Sequence, residues 1–174
     1  ELAGTLALDA AGATYDKGYT VHVTDDAARL RFGSGCTINN LSIIGTKDAD
    51  GYTDLDMTVQ SRSATVTKMR DLGNLTVDAG TLTVHHATDA IHGSLTLNSG
   101  KLKLGENADN FMAADSGKIA LNAASRWDVG TTSQSLSAKN VISLSGASVI
   151  TGSANSVGLQ FADGAAIAYA DKDN

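Results

Sequence analysis

The residues best suited to chemistry fall into a few groups. Asp48, Asp50 and Asp54 surround Gly51 in the segment Thr46-Lys-Asp-Ala-Asp-Gly-Tyr-Thr-Asp-Leu-Asp56. Alternate carboxylates about a glycine-permitted turn are what a hard cation such as calcium asks for. An EF-hand loop with Gly51 as its sixth residue would need an acid at 46 and a glutamate at 57. The chain has Thr46 and Met57 there. Both anchors are missing, so the segment reads first as an acidic, solvated insert, and as a calcium site only if other loops supply oxygens.

His85, His86 and His92 form a second group. Neighbours on a strand point to opposite faces, so His85 and His86 are not expected to share one metal. Solvated corner positions are the simpler reading, and nothing local connects them to His22. Cys36 is the single cysteine. It cannot form an internal disulfide, and a small packed side chain is expected rather than a nucleophile.

The third group is basic. Lys101 and Lys103 alternate with Leu102 and Leu104, which sends both ammonium groups out from one strand face. Arg126 and Asp128 flank Trp127, whose ring is expected to turn inward, and Thr81 and Thr83 lie one repeat earlier. A strip containing Lys101, Lys103 and Arg126 would attract an anionic glycan. Cleavage of acidic polysaccharides uses such groups, since a cation neutralises the uronate and a base takes the sugar C5 proton. The competing expectation is a gatekeeping surface, because strand lysines also discourage association. Ser, Thr and Asp are too frequent for any Ser-His-Asp triad to stand out. No phosphate loop, dinucleotide fingerprint or Cys-x-x-Cys pair occurs. No catalytic, cofactor or metal residue is assigned.

The elements that carry these residues follow from composition. Of 174 residues, 42% are apolar and 18% charged, with 18 glycines and no proline. The acids are 17 Asp and 2 Glu, which disfavours helix, because Asp competes with the helical backbone and prefers turns. Regular apolar alternation argues for a packed face rather than disorder. A single helical turn over residues 25–30 is the most helix expected. No apolar run is long enough for a membrane span, and no charged-then-apolar leader follows Glu1. A net charge of −6 argues against nucleic acid as a partner.

Repetition organises the chain. Gly73-Asn-Leu-Thr-Val-Asp-Ala-Gly-Thr-Leu-Thr-Val84 matches Gly93-Ser-Leu-Thr-Leu-Asn-Ser-Gly-Lys-Leu-Lys-Leu104 position for position. With the first apolar pair as a ruler, further copies fall at Leu6/Leu8, Leu30/Phe32, Leu55/Met57, Ile119/Leu121, Ile142/Leu144 and Leu159/Phe161. A turn column follows the pairs: Asp9, Asp78, Asn98, Asn122 and Ser145, then Gly12, Gly80, Gly100, Gly146 and Gly164. Polar side chains that bond their own backbone, followed by a glycine free to take positive φ, suit sharp corners. If the corners stack, Asp78, Asn98 and Asn122 form a polar ladder along one edge. The alternative is a meander of independent hairpins.

A period of roughly 20–25 residues holds two or three short strands plus corners, and each strand then pairs with its equivalent one coil on. The expected fold is all-β, a parallel β-solenoid of about eight coils and roughly 40 Å length. It is read as one domain over 1–174, with less regular coils over 1–72 and clearer ones over 73–174. Leu75, Val77, Leu82 and Val84 should point inward, and Thr83 and Lys103 outward.

The segments 73–77, 80–84 and 93–100 resemble the β-strand repeats of bacterial autotransporter passengers. The likeness is good over 73–104, moderate over 117–169 and poor over 1–72. It implies a right-handed parallel β-helix that is secreted or displayed on a bacterial cell surface, and a chain that is only part of a larger protein. No lipid-facing barrel strands with aromatic girdles are read in it. The resulting expectation is a non-enzymatic stalk or adhesin-like scaffold, whose partner is a glycan or a host or bacterial surface protein. The alternative is a carbohydrate-active β-helix, lyase or hydrolase, or a glycan-binding module. Uncapped solenoid ends are expected to favour end-to-end self-association.

Overall fold

Short runs of alternating apolar and hydroxyl residues form strands, and glycine or Asx residues turn the chain between them. A computed structural model describes residues 1–60, 64–87, 89–137 and 139–152, together with the backbone of 159–161 and 166–169. Among the described residues all regular structure is strand; residues 25–28 make a turn, closed by Ala28 N donating to Asp25 O and Ala27 N to Asp25 Oδ1, with Arg29 and Leu30 already in a strand, and no helix is long and apolar enough to cross a membrane.

The strands stack as a parallel β-solenoid of about six turns. One sheet contains β1 (Thr5–Leu8), β4 (Arg29–Phe32), β6 (Leu55–Val59), β8 (Leu75–Val77), β10 (Leu95–Leu97), β12 (Ile119–Leu121), β15 (Val141–Leu144) and β18 (Ala166–Tyr169), in that spatial order. The second runs β2 (Thr14–Tyr15), β5 (Thr37–Ile44), β7 (Ala64–Arg70), β9 (Thr81–Ala87), β11 (Lys101–Asn107), β13 (Arg126–Asp128) and β16 (Val149–Thr151), with β3 (Tyr19–His22) also paired to β5. A third pairs β14 (Gln134–Leu136) with β17 (Leu159–Phe161). All the pairings between these strands are parallel, which excludes the hairpin meander.

Seven of the eight apolar pairs mark the first sheet. The eighth does not: Leu159 and Phe161 pair with Gln134 and Leu136, and the last strand of the first sheet is β18, with Ile167 against Ile142. β18 takes that pair's place, so the first sheet still has eight strands, and the stack makes about six turns against the eight coils expected. The ruler also slips once, since Leu30 faces Met57 rather than Leu55. The β6 coil therefore begins its strand two residues earlier than the period suggests.

Leu75, Val77, Leu82 and Val84 are fully buried, and Leu82 lies in register against Leu102, also fully buried. Burying each such side chain contributes about 1.5–3 kcal/mol. Lys103 is exposed on the outer face, whereas Thr83 beside it is half-buried, being flanked in register by Lys103 and Thr65.

The corner after the first sheet has the expected polar ladder. Asn98 Nδ2 donates to Asp78 Oδ1 at 2.7 Å, and Asn122 Nδ2 donates to Asn98 Oδ1 at 3.1 Å. Ser145 Oγ extends the column, 3.3 Å from Asn122 Oδ1. Asp9 stands apart and pairs instead with Arg31. Gly80 at this corner has φ +73°, and a Cβ there would collide with the Val59 carbonyl. Gly100 is not in the left-handed region: its lack of a side chain answers a close approach by Val77. Gly164 lies outside the described residues.

Candidate functional site

The acidic insert folds into a small side loop. Lys47 and Tyr52 pair in an antiparallel bridge, and Thr46 Oγ1 and Thr53 Oγ1 both donate to Val23 O in the preceding coil, at 2.8 and 3.1 Å. Two of its three carboxylates have separate structural duties. Asp48 Oδ1 accepts from the N–H groups of Asp50 and Gly51, closing the tip. Asp54 accepts from Asn74 N at 2.6 Å and from Asn74 Nδ2 at 2.9 Å. Both Asp54 oxygens are thus engaged with the next coil. Among the described residues no group of three His, Cys, Asp or Glu side chains is arranged to hold a metal ion.

Asp54 belongs to a second ladder, on the corner before the first sheet. Asp26 Oδ1 accepts from Asp54 N at 3.0 Å, Asp54 from Asn74, and Asn74 Oδ1 from Ser94 N at 2.7 Å. The signal lies in the residue just before each apolar pair: Asp54, Asn74 and Ser94 at a constant spacing of 20.

The loop is pinned from its other side. The Tyr52 and His92 rings stack with centroids 3.7 Å apart and planes within 5°, and Lys47 Nζ sits 4.9 Å from the Tyr52 centroid. His92 Nδ1 is 2.8 Å from Asp115 Oδ1. An ionised carboxylate only accepts, so Nδ1–H donates. His92 Nε2 is buried without a partner. Tyr52, His92 and Asp115, with Asp26, Asp50 and Asp54, border an open groove of about 460 Å³. Tyr52 and His92 each stand three residues before an apolar pair, two 20-residue repeats apart, but nothing in that spacing marks a ring stack or the Asp115 contact.

His85 and His86 do not alternate. Both are exposed, and Ala87 is buried next. The strand turns a corner here, and the register against β11 shifts between Leu104 and Asn107, which breaks the period of two. His22 is exposed on β3. Cys36 is buried, its thiol 2.9 Å from Leu8 O and 3.0 Å from Gly33 O, a packed and bonded side chain.

The basic residues do converge. Lys101 lies in register between Thr81 and Arg126, and Lys103 between Thr83 and Asp128. Trp127 is fully buried against Leu102, because the corner leading to β13 is one residue longer than the one leading to β11. Arg126 Nε donates to Thr151 Oγ1 at 3.0 Å, and its NH2 lies 3.6 Å from Asp128 Oδ2. Asp128 Oδ1 accepts from Gly130 N. These residues border a shallow cleft of about 180 Å³ that shares Lys103 with a larger groove of about 460 Å³ beside Thr83, His85 and Gly130. The arrangement offers cations and hydroxyls on a flat face; the carboxylate of the cleft, Asp128, already serves Arg126 and a turn.

No protein-family model matches this chain, and neither the curated proteins nor the solved structures contain a significant match to it.

Proposed function

We propose that this chain is a non-enzymatic rod, the stalk or adhesin-like scaffold of a secreted or surface-displayed bacterial protein of the autotransporter-passenger kind. The observation that carries the reading is continuity: an apolar column runs from coil to coil, and one side-chain ladder bonds the coils from Asp26 to Ser94 while another bonds those from Asp78 to Ser145. A stack whose successive coils are bonded at a corner resists bending and fraying, which is what a spacer must do. Of the acids offered for cation binding, Asp54 is engaged in one of those corners and Asp48 in closing its own loop.

The test has two arms. The purified chain is incubated with neutral and acidic polysaccharides and new chain ends are counted; antibody against it is applied to intact, unpermeabilised cells of the source bacterium. Surface labelling without new ends is the expected result. New ends would make it a carbohydrate-active enzyme, and labelling only after permeabilisation would remove the surface assignment.

A further inference from the structure

The arginines of both sheets stand beside carboxylates, Arg70 near Asp71 at 3.2 Å and Arg126 near Asp128 at 3.6 Å on the second sheet. On the first sheet Arg29 forms an ion pair with Asp56 on the adjacent coil, and Arg31 with Asp9 at 2.9 Å. On the second sheet Lys101 and Lys103 are exposed and make no ion pair among the described residues. Lys101 stands directly in register with Arg126. Like charges opposite one another on neighbouring strands are destabilising.

Edge protection does not account for them. Lysines guard strands that have an unpaired side, whereas β11 is paired with β9 on one side and β13 on the other. A chain of net charge −6 therefore keeps Lys101, opposite Arg126, and Lys103, opposite Asp128, in the middle of a fully paired sheet without an ion pair among the described residues.

We infer that the outer face of β9, β11 and β13 is a docking surface for an acidic polysaccharide. Lys101, Lys103 and Arg126 meet its carboxylate or sulfate groups, and the Thr81 and Thr83 hydroxyls beside them exchange hydrogen bonds with its sugar hydroxyls. Charge complementarity selects an anion, and the side-chain chemistry selects among anions. An acidic peptide recognised as an added strand needs a free sheet edge, which this face lacks. Single-stranded nucleic acid needs exposed aromatic platforms, and the aromatic ring of these three strands, Trp127, is fully buried. The inference concerns a binding face and holds whether or not the parent protein is displayed on a cell.

The test titrates the purified chain with polygalacturonate, dextran sulfate, neutral dextran, oligo-dT and vesicles of phosphatidylserine and phosphatidylcholine. The double variant Lys101→Thr/Lys103→Thr installs the residues that the adjacent coil carries at the same registers, so it is compatible with the stack. Arg29→Gln/Arg31→Gln is the control on the opposite sheet. Binding of polygalacturonate or dextran sulfate, weakened about tenfold or more by the threonine variant and by raising salt from about 50 to about 200 mM, is expected. The arginine variant should leave it within about twofold. Which of the two polymers binds tells a carboxylated from a sulfated glycan. No binding to either, equal loss in both variants, or tighter binding of oligo-dT or the anionic vesicles would overturn the inference.

Discussion

Asn98 links Asp78 behind it to Asn122 ahead: its Nδ2 donates to Asp78 Oδ1 at 2.7 Å while its own Oδ1 accepts from Asn122 Nδ2 at 3.1 Å. One amide thus bonds three successive coils, using a donor and an acceptor that sit on separate atoms of the same side chain. Asn98→Ala should cost about 0.5–1.5 kcal/mol, a typical net hydrogen-bond contribution. Asn98→Asp should cost more, because it removes the donor and sets a second carboxylate beside Asp78. Urea melts at low and high salt test this: salt should recover part of the aspartate variant's loss and little of the alanine variant's. Equal losses insensitive to salt would remove the ladder as a contributor.

Leu102 is fully buried between Leu82 and Trp127 in the ladder register. Leu102→Ala should destabilise the chain by about 2–5 kcal/mol through lost transfer energy and the cavity left behind. Trp127 is the only tryptophan, is fully buried and has an unpartnered Nε1. Its native emission should be blue-shifted and move red on unfolding, which provides the probe for these melts. A native spectrum already like that of tryptophan in water would contradict the inward ring.

At Gly80 positive φ and a crowding carbonyl coincide, whereas Gly12 has φ +76° and open space around it. Gly12→Ala should cost about 1–2 kcal/mol, the left-handed penalty alone. Gly80→Ala should cost clearly more, since the backbone of the previous coil must also move. Thermal melts of the two variants give the comparison; similar midpoints would mean that the stack yields easily at that corner.

Tyr52 holds the side loop by stacking on His92. Tyr52→Ala should free the loop and speed tryptic cleavage after Lys47, while Tyr52→Phe, which keeps the ring, should cut at nearly the original rate. Limited proteolysis read by mass spectrometry decides. An unchanged rate in the alanine variant would show that Thr46 and Thr53 alone hold the loop.

The parts of this fold legible in the sequence were those governed by short periods. Alternation with period two placed Leu75, Val77, Leu82, Val84, Leu102 and Leu104 inside and the lysines outside, because successive side chains on a strand must face opposite ways. The 20-residue match stacked Leu82 on Leu102 and put Asp78, Asn98 and Asn122 in one column. Where a strand bends, the same rule fails, and His86 turns outward beside His85.

What only the tertiary structure decided depends on loop length and on the register between coils. Leu159 and Phe161 have a first-sheet pattern yet pair in the third, because periodicity says which face of a strand is buried and not which strand lies beside it. The acids of the insert suggested a cation loop by spacing, but folding brings Asn74 within 2.9 Å of Asp54 and His92 onto Tyr52. Side chains far apart in sequence compete for the same carboxylates and rings, and that competition is settled only when the coils are stacked.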